Sequence, residues 1–154
     1  MDNLQSKPLI SIQLIRPDTH SLDEVMKHLS ADGWEDEGHT EDPANLKRYI
    51  EDPDCFLLLA YVNGEVAGML TAYLHKKTDE RGQEMYVDEV ETKAAFRRQG
   101  VARSMMQHIM EIAREHVCSE LWVATETDND AANALYAGLS PSETEPSVAY
   151  IYRL

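Results

Sequence analysis

The sequence predicts an α/β domain built on one mixed sheet. Three observations predict it: a hairpin signal between two apolar runs, a change from alternating to helical periodicity after Glu91, and short strands separated by helices from there on. Leu9 to Ile15 alternates apolar and polar residues at its centre and is stopped by Pro17, which reads as a first strand. Asp18 or Thr19 can cap a helix carrying Leu22, Val25, Met26 and Leu29 at helical spacing, ended by Asp32-Gly33. Asp42-Pro43 opens a second, weaker helix through Leu46 to Ile50. Phe56 to Val62 and Val66 to Leu74 flank Asn63-Gly64, a pair suited to the positive φ angles of a type I′ hairpin turn. Gly82 marks a further turn before a strand from Met85 to about Glu91. Val101, Met105, Ile109 and Ile112 then share one helix face through His116. A short strand at Leu121 to Thr125, a helix at Ala131 to Ala137 and a last strand at Val148 to Tyr152 complete the pattern. The hairpins make the N-terminal half antiparallel, the helix crossover implies parallel pairing in the second half, and helices cover both faces.

At 154 residues the chain fits a single domain over 1–154. Its 28 acidic and 14 basic residues leave a formal charge of -14, which argues against nucleic acid and anionic membranes as partners and allows a cationic one. No window approaches a membrane span, and Met1-Asp2-Asn3 opens without a basic start or apolar stretch, so the expected location is the cytoplasm. Cys55 and Cys118 have no metal-ligand spacing and read as reduced and structural, and the six histidines give no metal set. The charge is unevenly placed. Ala31 to Asp54 carries -7 and Glu120 to Tyr152 carries -6, whereas Thr92 to Met110 holds Lys93, Arg97, Arg98 and Arg103 with no acid. A basic island in an acidic chain suggests an anion site.

That island lies where a strand turns into an amphipathic helix, at Glu91-Thr92-Lys93-Ala94-Ala95-Phe96-Arg97-Arg98-Gln99-Gly100-Val101-Ala102-Arg103. Gly100 lets the backbone approach a ligand closely, and Ala102 nearly does the same. Unpaired N–H groups and the positive end of the helix then favour a phosphate or pyrophosphate, with the arginines adding charge-assisted bonds. The loop is neither a Walker A loop nor a Gly-x-Gly-x-x-Gly loop.

Arg97-x-x-Gly100-x-Ala102 matches the pyrophosphate-binding motif Arg/Gln-x-x-Gly-x-Gly/Ala, and Asn129-x-x-Ala132-x-x-Leu135-Tyr136 with Leu139 matches a second motif. On these residues the sequence resembles the GNAT superfamily of acetyl-CoA-dependent N-acetyltransferases over nearly its whole length. It departs at Gly138, where Lys is common, and at Ser140-Pro141 in place of Gly-Phe. The run Glu84-Met-Tyr-Val-Asp-Glu-Val, followed by Phe96-Arg-Arg-Gln-Gly-Val-Ala, and the Leu70-Thr-Ala-Tyr-Leu strand look like those of the aminoglycoside 3-N-acetyltransferases.

The resemblance implies a fold, a cofactor and roles. Acetyl-CoA (coenzyme A) is held by Arg97, Arg98, Gln99, Gly100, Val101, Ala102 and Arg103 at its pyrophosphate. Backbone groups of Val90, Glu91 and Thr92, with Asn129 and Ala132, meet its pantetheine arm. Acyl transfer needs a neutral amine, yet an alkylamine has a pKa of about 10.4, so a base must take the proton. Glu89 matches the family's base. On a regular strand Glu89 and Glu91 share one face and Asp88 takes the other, so one or two carboxylates should face the substrate cleft. Tyr136 matches the tyrosine that protonates the departing thiolate. Asp88, Glu126, Asp36 and His39 are candidates for the acceptor pocket, and no metal is expected. The acceptor this implies is a cationic small-molecule amine, with an aminoglycoside, and hence antibiotic resistance, preferred. Polyamines, protein or peptide lysines and a non-catalytic acyl-CoA-binding module are the alternatives. Dimerisation is common in the family, which allows a homodimer.

Overall fold

The computed structural model describes residues 6–35 and 40–154. The chain divides into two compact units, Met1–Val123 and Ala124–Leu154. Among the described residues the first holds five strands, β1 (Ile10–Leu14), β2 (Cys55–Val62), β3 (Glu65–Lys76), β4 (Gln83–Thr92) and β5 (Leu121–Val123), and three α-helices, α1 (Leu22–Leu29), α2 (Pro43–Glu51) and α3 (Val101–Glu115). The strands form one sheet in sequence order, antiparallel from β1 to β4 and parallel between β4 and β5.

Local chemistry explains the boundaries. Asn63 (φ 50°) and Gly64 (φ 89°) make the hairpin turn between β2 and β3 with the two positive φ angles that the Asn-Gly pair supplies. Asp42 caps α2 by accepting the Asn45 N–H at 2.8 Å, and Pro43 stands in its first turn. The cap of α1 is Ser21, not Asp18 or Thr19: its hydroxyl accepts the Glu24 N–H at 3.4 Å. Residues 16–20 are instead used by a turn closed by the His20 N–H to the Arg16 carbonyl, and the helix ends at Leu29, before Asp32-Gly33.

The sheet is covered on both faces, as expected. On one, Leu57, Leu59 and Met69 pack with Ile15, Val25, Leu29, Leu46 and Ile50 beneath α1 and α2. On the other, Val101, Met105, Ile109 and Ile112 of α3 are all buried. Each such side chain contributes on the order of 1.5–3 kcal/mol of burial free energy. α3 comes close to the sheet at Gly68 of β3, where a Cβ would stand 2.9 Å from both Met105 Cε and Val101 Cγ1 and 3.0 Å from the Glu91 carbonyl. Gly68 therefore lets the start of α3 settle against the sheet.

The second unit contains α4 (Asp130–Ala137), capped by Asn129, whose side chain accepts the Ala132 N–H at 3.1 Å. The strand expected over Val148–Tyr152 does not form. These residues belong to none of the described sheet pairings, and Val148, Tyr150, Ile151, Tyr152 and Leu154 are exposed. Alternating apolar residues specify a strand only where an edge accepts their backbone groups.

Candidate active site

The site begins with an irregularity in β4. Thr71 of β3 pairs with Glu89, but the next β3 residue, Ala72, pairs with Val87, so Asp88 is an extra residue in a β-bulge. Strict alternation would send Glu89 to the same side as Val87, which is buried beneath α3. The bulge reverses this and places Glu89 opposite Thr71, with Thr71 Oγ1 3.5 Å from Glu89 Oε2. Glu91, opposite Met69, shares that face, as the strand period predicts. The face is the one covered by α1 and α2, and Glu89 is exposed on it. The assignment of Asp88 to the opposite face assumed a regular strand; the bulge removes that premise.

Tyr49 of α2 braces this region. Its hydroxyl donates to the Ala72 carbonyl at 2.9 Å and lies 3.3 Å from the Phe56 carbonyl, clasping β2 and β3 beside the bulge. Burial first, then its electrostatic neighbours Cys55 and Asp88, hold the phenol well above its ordinary pKa, so it stays protonated.

Downstream, β4 runs into a single 3-10 turn, Ala94–Phe96, and then the loop to α3. Arg98 (φ 60°) and Gly100 (φ 88°) are both left-handed. That curls the loop so that backbone amides converge at the start of α3. Ser104 N–H is the first to find a helical carbonyl, that of Gly100 at 3.0 Å, so the Val101 and Ala102 N–H groups have no acceptor within the helix. Nothing lies within 4 Å of the position a Gly100 Cβ would take. The β4–β5 pairing covers only Met85 to Val87, so the outer edge of Val90, Glu91 and Thr92 lies beyond that ladder. Thr92 Oγ1 is buried without a hydrogen-bond partner among the described residues. These features fit a cofactor that has both an extended amide-bearing arm and a pyrophosphate.

Acidic and basic segments are not separate, as their charge counts suggest. Arg97 is paired with Glu35, Glu91 Oε1 accepts the Glu35 N–H at 2.5 Å, and Lys93 Nζ lies 4.9 Å from the centre of the Trp34 ring. Residues 33–35 are thus pinned across the end of β4, and Arg97 already has a carboxylate partner. Gln99 meets Ser6, Lys7 and Pro8 around a depression of about 430 Å³. Asp36 and His39 lie outside the described residues.

In the second unit Tyr136 is half-buried, and burial raises its pKa. Asn129 is the helix cap, so the Ala132 N–H is already used. Glu126 is exposed, and its carbonyl accepts from Asn133 Nδ2 at 2.9 Å. Tyr49, Thr71 and Glu35 had no motif to announce them. Their parts follow from register and from a loop contact, which no sequence spacing shows.

A model of the acetyltransferase (GNAT) family matches residues 22–139. The chain belongs to that family: it is an acetyltransferase, and its acyl donor is acetyl-CoA. No curated protein matches it. Among solved structures it is similar to the aminoglycoside acetyltransferase meta-AAC0020 from an uncultured soil metagenomic sample, in complex with sisomicin, at 15% identity and a TM-score of 0.82, covering 94% of this chain and 96% of that one. It is similar to AAC(6')-Iy in complex with a CoA-S-monomethyl-acetylneamine bisubstrate analog, at 18% identity, a TM-score of 0.74 and coverage of 95% and 99%. A ribosomal-protein-alanine N-acetyltransferase from Brucella melitensis biovar Abortus 2308 also matches, at 18% identity, a TM-score of 0.70 and coverage of 95% and 99%. What these three share with the chain at such identities is the fold. No helix among the described residues is long and apolar enough to cross a membrane.

Proposed function

We propose that the protein acetylates an amine of a polycationic small molecule, an aminoglycoside at its 3-amino group, in one direct step within a ternary complex, and so confers antibiotic resistance. The observation that carries this reading is Glu89, a carboxylate that a bulge turns out of the core onto an exposed sheet face, on the strand that leads into the anion-ready start of α3. Acetyl-CoA supplies an acetyl thioester. Val101 and Ala102 N–H groups, with Arg98 and Arg103, hold its pyrophosphate, and the β4 edge at Val90 to Thr92 aligns the arm. Glu89 takes the proton that the ammonium must lose before it can attack. Tyr136, protonated because burial raises its pKa, donates to the departing thiolate. Asp88, Glu91, Glu126, Asp36 and His39 supply acceptor contacts, and the two acidic segments draw in a polycation. Burial pushes the Cys55 and Cys118 thiols up, away from nucleophilic thiolate, which favours direct transfer over an acyl-enzyme.

A steady-state screen with acetyl-CoA and a gentamicin-type aminoglycoside, spermidine or a lysine peptide tests the acceptor. The aminoglycoside is expected to give the highest kcat/KM, with NMR placing the acetyl on its 3-amino group; turnover of the other amines alone overturns the reading. Acetylation of Cys55 or Cys118 that is passed on to an acceptor would overturn direct transfer. The reading includes one acetyltransferase domain per chain, a cytoplasmic location and a homodimer. In support of the last, Val148, Tyr150, Ile151, Tyr152 and Leu154 are 77% or more exposed, an apolar run that a second copy can cover. Sedimentation showing only a 17.5 kDa species at every loading would remove the dimer.

A further inference from the structure

Arg97 opens the pyrophosphate motif, yet its guanidinium is engaged by the carboxylate of Glu35, from the segment that follows α1. The two side chains are 44% and 66% exposed, so water reaches the pair. A carboxylate and a phosphate offer an arginine the same thing, negative oxygens spaced for its fork of N–H donors. An accessible ion pair of this kind adds little to stability and opens readily when a stronger anion arrives. A pyrophosphate is that anion: it carries more charge than one carboxylate. It also collects the Val101 and Ala102 N–H groups, which have no acceptor within the helix.

Glu35 brings a short strap with it. Its own N–H donates to Glu91 Oε1 at 2.5 Å, and the ring of Trp34 has Lys93 Nζ 4.9 Å from its centre. Trp34 Nε1 donates to the His28 carbonyl at 3.2 Å, which ties the strap back to α1. Glu91, Lys93 and Arg97 all belong to the stretch that joins the β4 edge to the loop before α3. An exchange of partners at Arg97 therefore removes one of the three holds that this stretch has on Gly33–Glu35, and Trp34 stands beside the hold that is lost.

We propose that Glu35 is an internal stand-in for the donor's pyrophosphate: it holds Arg97 and the Gly33–Glu35 strap in the free enzyme, and acetyl-CoA takes Arg97 from it and loosens the strap. The donor follows from the family, so the inference does not depend on which amine accepts the acetyl group. A stand-in differs in sign from a salt bridge that only fastens a loop. A fastening pair shapes the site for the donor, so its removal weakens donor binding. A competing pair opposes the donor, so its removal tightens binding.

Isothermal titration calorimetry with CoA provides the test. Glu35→Gln keeps the size of the side chain and removes its charge, and is expected to lower the Kd about 5-fold. Asp32→Asn removes an equal charge from a nearby exposed position and is expected to change the Kd by less than about 2-fold. Equal tightening by the two would reduce the effect to the general field of the acidic segment and overturn the exchange. In Arg97→Gln, which carries the other residue the motif permits, Glu35→Gln should no longer tighten binding, because no guanidinium is left to exchange. In a Trp122→Phe background Trp34 is the remaining indole, and its emission is expected to shift saturably with CoA at the midpoint that calorimetry gives. Weaker or unchanged binding in Glu35→Gln, or a Trp34 emission that stays constant while CoA binds, overturns the proposal.

Discussion

The two faces of β4 carry opposite chemistry. Beneath α3 the strand presents Met85 and Val87, both buried, in a layer with Ala72, Leu70, Met105 and Ile109 that excludes water. On the opposite face it presents Tyr86, Glu89 and Glu91. A regular strand would keep Glu89 with Val87, in the layer that cannot hold a charge without a partner. One extra residue, Asp88, moves it across. The comparison teaches that the same strand can carry close packing and an exposed carboxylate because a bulge changes the phase of its alternation between them.

Substitutions on the two faces should therefore fail in different ways. Met105→Ala, in the sealed layer, should cost about 2–5 kcal/mol in urea unfolding while the surviving folded enzyme keeps its kcat. Glu89→Gln should do the reverse, lowering kcat by about 10²-fold with the unfolding midpoint nearly unchanged; full activity across the pH range would move the base to Asp88 or Glu91. Gly68→Ala touches the seam between layers. Its methyl group meets Val101 Cγ1 and the Glu91 carbonyl, so a loss of about 1–3 kcal/mol should come with a raised KM for acetyl-CoA as the start of α3 shifts.

The smallest effect expected is in alkali. Tyr49 holds its proton more tightly folded than unfolded, so its contribution is complete below the ordinary tyrosine pKa of about 10 and is lost as pH rises beyond it. Unfolding midpoints should fall above about pH 10, and Tyr49→Phe should flatten that slope while costing about 1 kcal/mol at neutral pH. A slope unchanged by the substitution would assign the alkaline loss to other groups, such as Tyr61 or Tyr136, whose pKa values burial also raises.

Much of the fold was legible because its signals are local. The Asn63-Gly64 turn, the Asp42-Pro43 helix start and the Val101–Ile112 stripe each depend on residues a few positions apart, and each appears where read. Signals with competing local solutions went astray. Ser21 took the cap assigned to Asp18 or Thr19, because residues 16–20 form a turn of their own. Val148–Tyr152 has the composition of a strand, but composition does not supply a neighbouring edge. In the candidate site, α3 begins at Val101 where the change of periodicity placed it, whereas the pairing of Arg97 with Glu35 joins positions 62 residues apart.

By itself the sequence determined the mixed α/β class, the family and where α3 begins, since periodicity and turn chemistry are properties of short segments. Only the tertiary structure decided which way Glu89 faces and that Tyr73, Tyr86 and Trp122 form one row. Both depend on inter-strand register, which long-range packing sets and which a single extra residue in one strand can invert.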